Sequence, residues 1–301
     1  MIKQIANKLI DNIVHKQEYS MRCAVRRQFL EDKIINCDDL GISSEKYNNQ
    51  EIIVSLTTYG RRLNWVAYTI ESIMQQTIKA NRIILWIAPK DFELGLPSSL
   101  RLQQKRGLEI YQTPDIRSYK KIIPTIKKHP DSVIITIDDD VMYDFDILGA
   151  MIDSYNRNPN HIHACRCHVI QYDANGKMKP YKNWEWDSFD YQNNINNFFT
   201  GVGGVLYPPR CLDPEVLNES VFMDICKMAD DVWLNAMARK VGTIVDKVPT
   251  RSLQGKDFLA IDEIQDMGLN KINVNQNLND MQIKSVFEKY SLMRIFENNK
   301  I

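Results

Sequence analysis

The chain has 301 residues, 44% of them hydrophobic and 25% charged, with 38 basic and 38 acidic side chains and a formal net charge of zero. This is the composition of a soluble globular protein, long enough for one α/β domain with extensions. The neutral balance excludes the whole-molecule field of a nucleic-acid binder, so any phosphate group must be held by local side chains.

Residues 1 to about 50 read as a helical arm and linker. "IKQIANKLIDNIV" places Ile2, Ile5, Leu9, Ile10 and Ile13 on one helical face, and Lys3, Lys8, Lys16, Arg22, Arg26 and Arg27 make the arm basic. Two roles suit such a helix: packing on the main domain, which the lack of Trp and Phe on that face favours, or contact with an anionic membrane surface. "DDLGISSEKYNNQ" follows as a linker. The strand pattern begins only at Glu51, so removal of roughly the first 45 residues is expected to leave the following domain folded.

Residues 51–255 carry alternating strands and helices. "EIIVSLT", "RIILWIA", "LEIYQT" and "SVIITID" read as strands. Between them "NWVAYTIESIMQQT" and "SSLRLQQKRG" read as helices, and "RSYKKIIPTIKKH" as a helix broken near Pro124. A further helix is predicted from about Asp144 to Asn156. Near-continuously apolar strands at short spacing argue for a mostly parallel sheet with helices on both faces. The second half is less regular: a strand "IHACRCHVI", a Gly-rich segment "FFTGVGGVLYPP", a helix "MADDVWLNAMARKVG" and a strand "TIVDKV". Residues 256–301 form an Asn- and Asp-rich tail ending in a helix, "DMQIKSVFEKY".

The six cysteines, Cys23, Cys37, Cys165, Cys167, Cys211 and Cys226, form neither CxxC nor a structural-zinc spacing. They read as reduced thiols of a cytoplasmic protein. No apolar run approaches the ~18 to 20 residues that span a bilayer, and no signal-peptide core is present.

The chemistry concentrates in two acidic clusters. In "VIITIDDDVM" an apolar strand runs into Asp138, Asp139 and Asp140, at the strand's carboxyl end, where open α/β sheets bind ligands. Strand alternation would turn Asp138 and Asp140 to one side and Asp139 to the other. Two such carboxylates suit a hard divalent cation, Mg or Mn, which offsets their repulsion and can bridge to a diphosphate. Asp230 and Asp231 open a predicted helix, where a carboxylate can cap the N-terminus or serve as a general base. Gly201, Gly203 and Gly204 do not fit a phosphate-binding GxGxxG and read as a tight loop.

These segments in this order resemble a GT-A-type nucleotide-sugar glycosyltransferase of bacterial surface-polysaccharide pathways. "VSLTTYGRRLNWVAYTIESIMQQTIKANRIILWIA" is similar to that family's nucleotide-binding first unit, "SYKKIIP" to its donor-facing lysine segment and "IDDDVMY" to its DxD metal motif. "GVGGVLYPP" followed by "ADDVWL" resembles its acceptor loop and the helix start carrying the base. The resemblance covers roughly residues 51 to 250 and implies a GT-A fold, a UDP-sugar donor, a divalent cation and a glycan or lipid-linked glycan acceptor. It implies that Ser55, Thr57 and Tyr59 line the nucleotide pocket, with Arg61 or Arg62 near phosphate and Lys121, or else Lys120, at the diphosphate or sugar. Asp138 would meet the ribose or the metal and Asp140 the metal, with Asp139 among the donor-binding residues. Arg166 and His168 would look into the donor site, Trp184 and Trp186 could stack on a sugar, and Asp231 would be the base, supported by Asp230. The helix opens Asp-Asp where the family often has Glu-Asp. No His follows Asp231 as a third metal ligand, which points to inversion. Two other classes compete: a non-catalytic nucleotide- or glycan-binding relative, and an Asp-nucleophile phosphatase, which wants its motif on the first strand and not, as here, after three others.

Overall fold

The computed structural model describes residues 2–93, 95–188, 194–249, 258–267 and 278–293, with side chains from residue 11 onward apart from Phe258, Asp266 and Met267. The strands are β1 (Ile52–Thr58), β2 (Arg82–Ile87), β3 (Leu108–Gln112), β4 (Val133–Thr136), β5 (Val141–Tyr143), β6 (Ile162–Val169), β7 (Asn197–Tyr207), β8 (Val245–Lys247) and β9 (Phe258–Ala260). The helices are α1 (Ile2–Asn36), α2 (Val66–Met74), α3 (Pro89–Phe92), α4 (Ser98–Lys105), α5 (Ile123–Lys128), α6 (Ile147–Arg157), α7 (Glu219–Ile225), α8 (Asp230–Lys240) and α9 (Leu278–Lys289).

A seven-stranded sheet runs in the order β3-β2-β1-β4-β7-β6-β8. β1 pairs in parallel with β2 and β4, β2 with β3, and β6 with β8; β7 is antiparallel to both β4 and β6. This is a mostly parallel α/β sheet of the Rossmann-like kind. Its strands are apolar on both faces because both are covered. On one side Val54, Leu56 and Ile135 pack with Ile70, Ile73 and Met151 of α2 and α6. On the other, Phe199, Val205 and Tyr207 pack with Trp233 and Met237 of α8 and Phe287 of α9.

Three elements differ from the sequence reading. The strand expected to reach Asp138 ends at Thr136, so the acidic triplet lies in the bend between β4 and β5. Pro124 does not break a helix: it occupies the first turn of α5, where its missing N–H costs nothing, after a 3₁₀ turn over Arg117–Lys121. The Gly-rich segment is not a loop. It runs inside β7 as a bulge, since Arg166 pairs with Thr200 and Ala164 with Val205, leaving residues 201–204 opposite Cys165. Gly203 and Gly204 take φ of 82° and 105° there, a conformation glycine adopts without a Cβ clash.

The second half of α1 packs on the body. Leu30 and Ile34 are buried, the Arg26 guanidinium donates to the Tyr143 carbonyl, and the Tyr19 hydroxyl accepts the Ala260 N–H. β9 closes this corner by pairing with β5. The side chains of Ile2, Ile5, Leu9 and Ile10 lie outside the described residues, and Ile13 is exposed. Among the described residues, no helix is long and apolar enough to cross a membrane.

Candidate active site

β1 and β4 are adjacent and parallel, so their carboxyl ends deliver Thr58 and the acidic bend to the same edge of the sheet. The three aspartates are not equivalent there. Asp139 turns inward and is buried, receiving the Thr58 hydroxyl at 2.6 Å and the Arg62 guanidinium at 2.5 Å. Burial still pushes its carboxyl above the usual range, against the pull of Arg62 and Thr58. Asp138 and Asp140 are partly buried, with side chains 28% and 17% exposed. Arg62 Nη2 lies 3.1 Å from Asp140 Oδ2. Burial and the neighbouring carboxylates of Asp138 and Asp139 push Asp140 up to about 6. The Tyr143 hydroxyl accepts the Asp138 N–H at 3.1 Å and so fixes the bend.

The second acidic cluster faces the first. Lys121 Nζ stands 3.2 Å from Asp138 Oδ1 and 3.3 Å from Asp230 Oδ2, so one ammonium joins the bend after β4 to the start of α8. Burial alone would lower this lysine, but the charges of Asp230, Asp138 and Asp231 outweigh it and hold it well above its ordinary value. Neither carboxylate caps α8, whose N-cap position is Ala229. Asp231 instead accepts the Gly201 N–H at 3.1 Å. Burial and the adjacent Asp230 push Asp231 up to about 7. Asn235, one turn along α8, clamps this helix to β7 by donating to the Phe199 and Asp231 carbonyls and accepting the Phe199 N–H.

The β7 bulge explains why glycine is needed beside these acids. A Cβ on Gly201 would meet Lys121 Nζ at 2.8 Å, and one on Gly204 would meet Met151 Cε at 2.5 Å. The bulge therefore makes room for the ammonium and supplies an N–H to Asp231.

Other expected residues are placed as follows. Ser55 is fully buried and hydrogen-bonded to Thr125 at 2.7 Å, so it offers no surface to a nucleotide; in a strand covered on both faces, period-two alternation turned it into the core. Thr57 donates to the Trp86 carbonyl and stays half-exposed. Tyr59 and Arg61 are exposed at the rim, and the Arg62 guanidinium sits 5.5 Å from the Tyr59 ring. Arg62 itself is buried against Asp139 and Asp140, so of the two arginines Arg61 is the one at the surface. Lys120 is bound to Asp115 at 2.6 Å, leaving Lys121 as the lysine between the two acidic clusters. Arg166 is half-buried and donates to Thr200 Oγ1 at 2.7 Å. His168 is buried and accepts the Asp187 N–H. Burial and the charge of Arg166 lower it to about 4, so it is a neutral packing residue. Trp184 is buried, whereas Trp186 is exposed. Sequence reasoning missed Thr58, Tyr143 and the Gly201 N–H, because each acts through a contact that only the fold creates.

No family model matches the sequence, and no curated protein matches it. Among solved structures, the chain is similar to CMP:2-keto-3-deoxy-manno-octonic acid synthetase complexed with CTP, at 10% identity and a TM-score of 0.39 over 67% of this chain and 89% of that one. It is also similar to the inositol-1-phosphate CTP transferase from T. maritima, at 11% identity and a TM-score of 0.40 over 66% of this chain and 84% of that one.

Proposed function

We propose that the chain is a metal-dependent glycosyltransferase of GT-A type. It would move a sugar from a nucleotide donor, taken as UDP-linked, to a hydroxyl of a glycan or lipid-linked glycan, with inversion at the anomeric carbon. The observation that carries this reading is the Lys121 bridge, which draws the Asp138 bend and the Asp230–Asp231 start of α8 to one ammonium.

Asp138 and Asp140 fit a cation of the Mg or Mn kind. Their side chains are 28% and 17% exposed, and the neighbouring carboxylates that help push Asp140 up make a negative field that a cation would relieve. Among the described residues no three His, Cys, Asp or Glu side chains converge as a closed metal cage. Mg is commonly held by one or two carboxylates, its other positions being left to phosphate and water. When bound, the cation would neutralise the departing diphosphate.

The protein's own groups supply the rest. Arg62 holds Asp139 and Asp140 in place, and Lys121 offers a second positive charge to the diphosphate side. On the opposite face, the acceptor oxygen bonds to the anomeric carbon as the carbon–phosphate-oxygen bond breaks. The bonding pair leaves with the nucleoside diphosphate, and the hydroxyl proton passes to the Asp231 carboxylate. A base that titrates near 7 is matched to this task. The place of such a reaction would be surface-polysaccharide or lipopolysaccharide synthesis, with the basic arm near an anionic membrane.

The test is incubation with a panel of UDP-, GDP- and CMP-sugars, with Mg or with chelator. Metal-dependent release of nucleotide from at least one donor is expected. Absence of release from every donor, with Mg and with Mn, would overturn the assignment.

A further inference from the structure

Part of α1 stands clear of the body. Residues 11–18 are exposed on every side, and the first described hydrogen bond from the helix to another element is the one between the Tyr19 hydroxyl and the Ala260 N–H. From there Cys23, Leu30 and Ile34 turn one face of the helix onto the body. The opposite face is apolar as well. At about 3.6 residues per turn, Val14, Gln17, Met21, Val25 and Gln28 fall in a stripe roughly 80° wide, on the far side from Tyr19, Cys23, Leu30 and Ile34. Val14, Met21 and Val25 are 44%, 69% and 65% exposed, and Ile13 beside them is 49% exposed. No charged residue lies on the stripe from Ile13 to Gln28. A short stretch of helix surrounded by water is only marginally stable, and a contiguous apolar stripe turned away from the core marks a contact surface.

The charges beside the stripe say what covers it. Along one edge Asp11, His15, Glu18 and Arg22 follow one another, acid and base alternating. His15 Nδ1 already lies 3.6 Å from Glu18 Oε2 within the helix. Such an order is its own complement when it is reversed. In two copies of α1 lying antiparallel, with a two-fold axis beside Gln17, Asp11 of each copy comes opposite Arg22 of the other. His15 then comes opposite Glu18, and Val14 covers Met21. Each contact occurs twice, as an isologous interface requires. Parallel pairing would set Asp11 against Asp11 and Arg22 against Arg22. An anionic lipid surface would meet Asp11 and Glu18 at the edge of the stripe, which makes it the poorer cover.

We propose that the outer face of α1 is a dimerisation surface whose occupant is a second copy of this chain, packed antiparallel about Gln17. The pairing leaves the inner face of α1 on its own body, so each copy keeps the cluster of Leu30 with Met142 and Leu259. It is independent of the reaction proposed above.

The test is sedimentation velocity of the full chain over a range of about 1 to 100 μM, where mass action makes a dimer visible. A reversible monomer–dimer equilibrium is expected. Met21→Glu brings a carboxylate into the stripe twice and should weaken the dimer about tenfold or more. Asp11→Arg and Arg22→Asp should each weaken it roughly threefold to tenfold by setting like charges opposite, and the chain carrying both should recover the wild-type affinity. All three side chains are exposed in the single copy, so the variants should fold as wild type, read by circular dichroism. A wild-type chain that stays monomeric at every concentration overturns the pairing; if it also sediments with phosphatidylserine vesicles, the face belongs to lipid. A dimer that Met21→Glu leaves intact places the interface elsewhere and overturns it too. Weakening by both single charge variants without recovery in the double one overturns the antiparallel register.

Discussion

Asp231 is held by a single backbone N–H, beside a second carboxylate and near one ammonium. Replacing it with Asn keeps its size and removes its basicity. Transfer should fall by roughly 10²- to 10⁴-fold, with UDP affinity unchanged, because Asp138 and Asp140 are untouched. Near wild-type transfer by Asp231→Asn would place the base elsewhere. The wild-type pH profile carries the same information: kcat/KM should decline on the acid side of about 7, as the carboxylate takes up a proton. Lys121 draws Asp231 downward, so Lys121→Met should shift that acid limb to higher pH. A limb that stays in place would separate the lysine from the base. Stability follows with the opposite sense. The folded chain binds the Asp231 proton more tightly than the unfolded chain does, so the wild type loses stability as pH rises from the ordinary aspartate range through about 7. Asp231→Asn should therefore melt higher than wild type, by a margin that grows from pH 4 to pH 7 and then levels off. A margin independent of pH would contradict the raised value.

At the scale of elements, the β7 bulge is the feature on which the site depends. Gly201→Ala would press on the Lys121 ammonium, which is buried between Asp138 and Asp230, so it should lower transfer and also cost stability through the disturbed ion pairs. Gly204→Ala meets a different situation, because φ is 105° and Met151 blocks the space. It should cost about 1–3 kcal/mol of stability, read by denaturant unfolding; no loss in Gly204→Ala would argue against the bulge geometry. This element also marks how far the sequence could be read. Apolar runs bounded by turn residues are local signals, so β1 to β4, α2, α4, α6 and α8 stood out. So did the acids that follow β4 and open α8, since charges after an apolar strand need a reason to be there. The bulge did not, because a glycine run reads as a loop until its partner strand is known. Ser55 was misplaced for the same reason: nothing nearby in sequence announces Thr125, and a hydroxyl on a buried strand looks the same whether it faces a ligand or a core partner. Arg62 looked like a phosphate ligand, yet the fold carries it under Tyr59 to Asp139.

Across the whole molecule, ends that are far apart in sequence meet at one corner. α1, β9 and β5 share a small apolar cluster in which Leu30 packs with Met142, Leu259 and Ile264. Arg27 pairs with Glu263 across the same junction. The strand pattern starting at Glu51 suggested that the following domain would stay folded without the arm; the burial of Leu30 and Ile34 changes that expectation. Leu30→Ala should cost about 2–5 kcal/mol, and a chain lacking residues 1–36 should melt well below the full one. Equal melting temperatures would show α1 to be a dispensable arm. Because β5 follows the acidic bend directly, damage at this corner should also reach the proposed cation site, lowering any Mg-dependent activity more than the loss of folded protein explains.

The central claim is that Asp138 and Asp140 hold a divalent cation against a nucleoside diphosphate. Calorimetric titration of UDP into the full chain, in Mn and in chelator, tests it most directly, with Asp140→Ala measured alongside. The account predicts affinity in Mn that collapses in chelator, and an Asp140→Ala chain that binds equally weakly in both. Equal UDP affinity with and without the cation in the wild-type chain would contradict it.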